Sequence, residues 1–143
     1  MTTKISSART AEVRKREHGN CVVCSSSNER GLGIEFNTLE DGSVEAVFEC
    51  DKTYEGYKDL LHGGIISALL DGAMTNCMFA QGSRALTAEL NVRFHQPVAI
   101  GSPAKVRAWI KKDLFPLFLV EAEVSQNQQV KASATGKFME SDQ

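Results

Sequence analysis

The sequence predicts an α+β domain in which a curved antiparallel β-sheet wraps around one long central helix. Residues 60–79 are dense in Leu, Ile, Ala and Met, contain no proline and show little alternation. The segments on either side alternate apolar with polar residues, the period of antiparallel strands with one wet face. A helix that is apolar on nearly every side must be surrounded by protein rather than laid on a surface. One helix cannot cover both faces of a sheet, but a sheet that curls can enclose one helix.

The 143 residues allow one domain, large enough to bury a core without disulfides or a structural metal. With 42% hydrophobic and 24% charged residues, the chain lies outside the profile of disorder. Its 16 Lys+Arg against 18 Asp+Glu give a net charge of −2, unlike the basic stripe of a nucleic-acid binder. No run approaches the ~18–20 apolar residues of a membrane helix. The N-terminus lacks an apolar stretch of signal-peptide length. A cytoplasmic location is therefore expected, with no nucleic-acid or membrane partner. In that compartment the four cysteines, Cys21, Cys24, Cys50 and Cys77, are expected to be thiols.

In chain order, residues 1–30 are expected to form an N-terminal extension, a short helix over about 6–17 and then a loop. The main domain is expected over residues 31–143. Ile34 and Phe36 alternate with Glu35 and Asn37, and Glu40-Asp41-Gly42 supplies a turn. Val44, Ala46, Phe48 and Cys50 then complete a hairpin. A helix of about eighteen residues is expected from Gly63, with Gly82 where it would stop. Its polar positions, Ser67, Asp71 and Thr75, fall in one narrow stripe. After Gly82, the alternation puts Leu86, Ala88, Leu90, Val92 and Phe94 on one side. Thr87, Glu89, Asn91, Arg93 and His95 fall on the other. Three more strands follow, with apolar rows Val106, Ala108, Ile110, then Phe118, Val120, Ala122, Val124, then Val130, Ala132, Ala134, Phe138. The inventory is two strands, one helix and four strands.

The chemistry concentrates at His62-Gly63-Gly64 and Asp71. Two glycines at a helix start are poor helix formers, and without Cβ they let a ligand approach the free first-turn N–H groups. Those donors and the helix dipole favour a developing oxyanion. A tight loop-to-helix turn is the alternative use of such glycines. Asp71 is a carboxylate within an apolar helix, where desolvation would raise its pKa towards that of a general base. Asp71-Gly72 could instead mark a turn, but the apolar density continues through Phe79. Seven helical residues separate Gly64 from Asp71 by about 10 Å, and His62 and Asp71 fall on opposite faces. If both ends act on one carbonyl, the second must come from another subunit.

The run His62-Gly63-Gly64 followed by Leu69-Leu70-Asp71 resembles the signature of hotdog-fold acyl-CoA thioesterases, in particular the phenylacetyl-CoA and 4-hydroxybenzoyl-CoA thioesterase-like domains. The likeness includes Tyr54-Glu55-Gly56-Tyr57, residues 87–98 and Gly101-Ser102-Pro103. It extends to Cys21-Val22-Val23-Cys24 and residues 31–36, and covers roughly residues 18–139. The resemblance implies a hotdog domain that self-associates as a dimer or tetramer, with acyl-CoA as substrate, no cofactor and active sites at the subunit interface. It implies that the Gly64 N–H receives the thioester carbonyl, that Asp71 of the partner chain activates water or attacks, and that His62 shapes the turn. Thr87 matches a Ser/Thr that helps position water, and Gly63 and Ser67 are expected to contact substrate. Two positions depart from the pattern: Gly56 stands where some relatives carry Asn, and Gly72 where many carry Glu.

Lys105, Arg107, Lys111 and Lys112 are candidates for the phosphates of coenzyme A, with a solvated strand face as the alternative. Trp109 is expected to pack. His18-x2-Cys21-x2-Cys24 offers three zinc ligands, with Cys50 or Cys77 as a fourth, but no second paired cluster exists. Ordinary loop or core thiols are therefore expected, and no metal site. Dinucleotide, phosphate-loop and Gly-x-Ser-x-Gly motifs are absent. The favoured function is acyl-CoA hydrolysis. A hotdog module that binds acyl-CoA without turnover is the alternative, and a hydratase ranks last because His62 and Asp71 converge only across subunits.

Overall fold

The computed structural model describes residues 7–141. Its centre is the apolar segment, a helix of 18 residues, here α2 (Gly63–Ala80). From Leu69 onward almost every residue of it is buried, including Leu69, Leu70, Met74 and Met78. The helix ends where Gly82 takes φ 74°, with Ser83 N–H donating to the Met78 carbonyl and Gly82 N–H to Phe79. That pair of bonds is a Schellman closure.

Ahead of α2 lie α1 (Ser7–Glu17), β1 (Asn37–Thr38) and β2 (Val44–Glu49); after it come β3 (Ala85–Phe94), β4 (Pro103–Leu114), β5 (Leu117–Gln126) and β6 (Gln129–Glu140). The strands form one curved six-stranded antiparallel sheet in the order β1-β2-β4-β5-β6-β3. Every strand but β1 packs against α2. Inward positions of the central strands, such as Val106, Ala108, Val120, Ala122 and Val124, are buried, while Lys105, Lys111 and Lys112 on β4 are exposed.

The predicted elements recur with three physical corrections. The first strand shrinks to two residues: Ile34 and Phe36 are buried, but they cover the core from a loop instead of joining the sheet. Val130, expected in the apolar row of β6, is 43% exposed because the β5–β6 register shifts beside it. The third change falls in β3, where the register with β6 shifts between Thr87 and Glu89. A bulge reverses which residues face inward. Thr87 pairs with buried Phe138, and Leu90, Val92 and Phe94 pair with Gly136, Ala134 and Ala132. Thr87 thus joins the helix-side face that the alternation had assigned to Leu86, and Leu86 turns outward, 53% exposed.

Residues 1–6 of the expected extension lie outside the described residues. From Ser7 onward the extension docks on α2. His18 sets its ring edge-on to Phe79 at 4.8 Å, Arg14 Nε donates to Asn76 Oδ1, and Arg84 pairs with Glu17 at 3.1 Å.

Cys77 sits in the centre of this core near the carbonyls of Gly42 and Ala108. Burial pushes its pKa from 9.0 up to about 12. The folded state therefore keeps a proton that the unfolded chain releases above pH 9, so this contribution is complete below pH 9 and is lost as pH rises towards about 12. Urea midpoints are expected to fall across that window, and to fall less steeply in Cys77→Ala. Parallel slopes in the two proteins would show that the thiol has no such linkage.

Candidate active site

The N-terminus of α2 is built around its cap. His62 is extended (φ −61°, ψ 134°), and its imidazole folds back so that Nδ1 accepts the Gly64 N–H at 2.8 Å. Gly64 makes that fold-back possible, because a Cβ there would stand 3.0 Å from two imidazole atoms. The Ile65 and Ile66 N–H groups donate to the His62 carbonyl. The Gly64 N–H, expected to be free, is here taken up by a side-chain cap, which satisfies one of the orphan first-turn donors. A neutral imidazole that accepts at Nδ1 carries its proton on Nε2. His62 is exposed, so that N–H has access to the neighbouring cleft.

The cleft measures about 670 Å³. Helix residues His62, Gly63 and Ile66 form one wall, with Gly56 and Tyr57 before them and Phe94 and His95 from the end of β3 opposite. Gly56 presses closely on the cap, since a Cβ there would lie 3.0 Å from His62 Cα. Tyr57, Phe94 and His95 were within the motif runs, yet nothing in residue type alone marked them as cleft walls. His95 Nε2 lies 2.8 Å from Ser133 Oγ.

Asp71 lies midway along α2, half-buried on the flank that faces β3. Thr87 Oγ1 donates to Asp71 Oδ1 at 2.7 Å. The bulge in β3 makes this contact possible by turning Thr87 towards the helix. Ser67 is turned to its own helix, donating to the Gly63 carbonyl at 3.1 Å.

The basic residues of β4 are not part of this arrangement. Lys105 and Arg107 approach Glu45 at 3.2 and 3.9 Å, and Arg107 lies over the Trp109 ring. Lys111 pairs with Glu121, which also accepts from Trp109 Nε1. Lys105 and Arg107, the expected phosphate contacts, thus share one cross-strand carboxylate, and neither lines the cleft. A separate cluster joins His18, Cys21 and Cys24, whose ligand atoms lie within 4.8 Å of one another. Cys50 and Cys77 are not part of it. No described helix is long and apolar enough to cross a membrane.

An apolar helix inside a curled sheet, with an acid on its flank and a capped glycine pair at its start, is the arrangement of a hotdog domain. Residues 59–132, just over half of the chain, match the family model of the thioesterase superfamily, and the chain belongs to that family. Acyl-coenzyme A thioesterase THEM4 of Bos taurus is 30% identical over 87 residues, which is 59% of this chain and 35% of that protein. The match thus spans about a third of the length of that curated relative. The E. coli PaaI protein from the phenylacetic acid degradation operon superposes with a TM-score of 0.80 at 18% identity, covering 94% of this chain and 95% of that one. The smu.793 protein of Streptococcus mutans UA159, solved bound to acetyl CoA, gives a TM-score of 0.71 at 20% identity over 76% and 88%. At these identities the two structures bear on the fold.

Gly72, the departure beside the acid, has a packing reason. A Cβ at this position would lie 2.6 Å from Val23 Cγ1. The Cys21–Cys24 loop occupies the space that a side chain would take. Gly72→Ala gains about 1 kcal/mol of helix propensity but meets overpacking of about 1–3 kcal/mol. It is expected to lower the urea midpoint, whereas in a Val23→Ala background the same change is expected to raise it. An equal effect in both backgrounds would break the link between Gly72 and Val23.

Proposed function

We propose that the protein hydrolyses an acyl-CoA thioester to a carboxylic acid and coenzyme A, at a site completed by a second copy of the chain. The observation that carries this reading is the Thr87–Asp71 hydrogen bond, which orients a carboxylate beside the uncovered inner face of β3. Asp71 takes a proton from water while Thr87 fixes the carboxylate, and the resulting hydroxide attacks the thioester carbon. The carbonyl oxygen, now negative, takes the Gly64 N–H from His62, one acceptor replacing another at the positive end of the helix. The C–S bond then breaks, and the leaving thiolate recovers the proton held by Asp71.

Gly64 and Asp71 lie too far apart on α2 for one chain to apply both to one carbonyl, since seven residues put them about 10 Å apart along the axis. Support for a second copy comes from β3. It is the outer strand of the sheet over its 10 residues, and Leu90 and Phe94 on its helix-side face remain 37% and 55% exposed. A long apolar edge of this kind invites pairing. In the proposed dimer, the α2 N-terminus of one copy faces Asp71 of the other across paired β3 strands.

Thiol release from a panel of acyl-CoAs tests the chemistry. Asp71→Asn is expected to lower kcat by roughly 10²–10⁴-fold with little change in KM. Thr87→Val is expected to lose about 10–100-fold, the worth of a hydrogen bond to a charged group. Full activity in Asp71→Asn would remove the acid from the mechanism. Coenzyme A binding without release from any substrate would leave a binding module. Sedimentation tests the assembly: a dimer or tetramer is expected, with Leu90→Lys shifted to monomer and inactive. An active monomer would overturn the shared site.

A further inference from the structure

The loop after α1 assembles a set of groups that thioester chemistry leaves unused. We propose that His18, Cys21 and Cys24 bind one zinc ion through three protein ligands, clipping this loop to the flank of α2 beside Asp71. The inference stands apart from the thioesterase reading, because it concerns another cluster and is read out by metal content.

The first support is distance. His18 Nδ1 lies 3.6 Å from Cys24 Sγ, and all three ligand atoms lie within 4.8 Å of one another. Two ligands on a tetrahedral zinc, one sulfur at about 2.3 Å and one nitrogen at about 2.0–2.1 Å, stand roughly 3.6 Å apart. The His18–Cys24 pair thus already has the edge length of a zinc tetrahedron, and Cys21 Sγ lies within 4.8 Å of both. Cys21-x2-Cys24 and the histidine three residues earlier fall at ligand spacing. Two sulfurs and one imidazole are a soft donor set, which favours zinc over magnesium or calcium.

The second support is the way the groups are held. The Val23 N–H donates to Cys21 Sγ at 3.3 Å, which fixes the direction of that sulfur. Ser25 N–H closes the turn on the Cys21 carbonyl, and Ser25 Oγ donates to the Gly19 carbonyl at 2.8 Å. The His18 ring is fixed edge-on against Phe79. Cys24 is buried beside Asn76 and Arg14, which supply a polar and a cationic neighbour to its sulfur. Cys21 is only half-buried, so a water or an exogenous group can reach the fourth position. Between the two cysteines, Val23 presses onto Gly72, the residue after Asp71. Fixing positions 21 and 24 fixes that contact.

Metal analysis of the desalted full chain, loaded with zinc alone, is expected to give about one zinc per chain. Cys21→Ser, Cys24→Ser and His18→Ala are expected to drop to background. Any of these variants could misfold, so the wild type carries an independent measurement. Cobalt(II) added to the metal-free protein is expected to produce a thiolate-to-cobalt charge-transfer band, abolished by one equivalent of zinc. Zinc is also expected to raise the Tm of wild type and not of Cys24→Ser. No retained zinc, or a cobalt spectrum without thiolate character, would overturn the site. Equal zinc in wild type and variants would do the same, as would a Cys21–Cys24 disulfide in chain purified without reductant.

Discussion

Enclosing α2 is the constraint from which the rest of the structure follows. A helix buried from Leu69 to Ala80 at every residue but Asp71 has almost no face to give to water, so it requires cover along its length. The sheet supplies most of it by curling, with β2, β4, β5, β6 and β3 all reaching the helix. The loops carrying Val23, Ile34 and Phe36 close what the sheet leaves open. Val23 and Gly72 express one solution to that demand: the loop comes close because the helix is bare at that point. Read in this way, Gly72 is less a missing catalytic group than the seat of the loop.

The proposed chemistry draws on the two places where the enclosure is interrupted. At the N-terminus of α2 the first-turn donors need acceptors, and the His62 imidazole and carbonyl provide them from one residue. On the flank of the helix, the Asp71 carboxylate accepts from Thr87, which faces it because β3 carries a bulge. A regular strand would send Thr87 outward and leave the carboxylate without this donor. The irregularity in the sheet thus has a local consequence on which the proposed mechanism draws.

The helix and its limits were legible because both signals are strong: an uninterrupted apolar run, and Gly82 after it. The central strands were legible for a similar reason, since Val106, Ala108, Val120, Ala122 and Val124 alternate cleanly and are buried. Asp71 stood out as a charge in apolar company. The phase of β3 was not legible, because a bulge at Ala88 leaves no mark on a polar–apolar pattern and reverses every assignment on one side of it. Lys105 and Arg107 illustrate a second blind spot. Their type and spacing suit phosphates, but the cross-strand Glu45 that they also face stands more than fifty positions earlier in the chain. The fold-back of His62 onto Gly64 was hidden for the opposite reason, because a ring rotamer is a choice that sequence does not print.

The exposure of β3 bears on why the donors and the acid lie about two turns apart on one helix. Residues of one helix keep a fixed separation, so two groups about 10 Å apart along the axis cannot be drawn together by any rearrangement short of unwinding it. A second copy related by a two-fold axis reverses the direction of its helix, and an isologous interface then brings each N-terminus to the other's flank. The strand positioned to form such an interface is the one that presents Thr87, and its helix-side apolar residues Leu90 and Phe94 are left exposed in a single chain. The surface that would join two copies and the surface that would hold the substrate are therefore largely the same surface. Apolar exposure that would be a liability in a monomer becomes the wall of a shared cleft, and assembly and catalysis in the proposed dimer would stand or fall together.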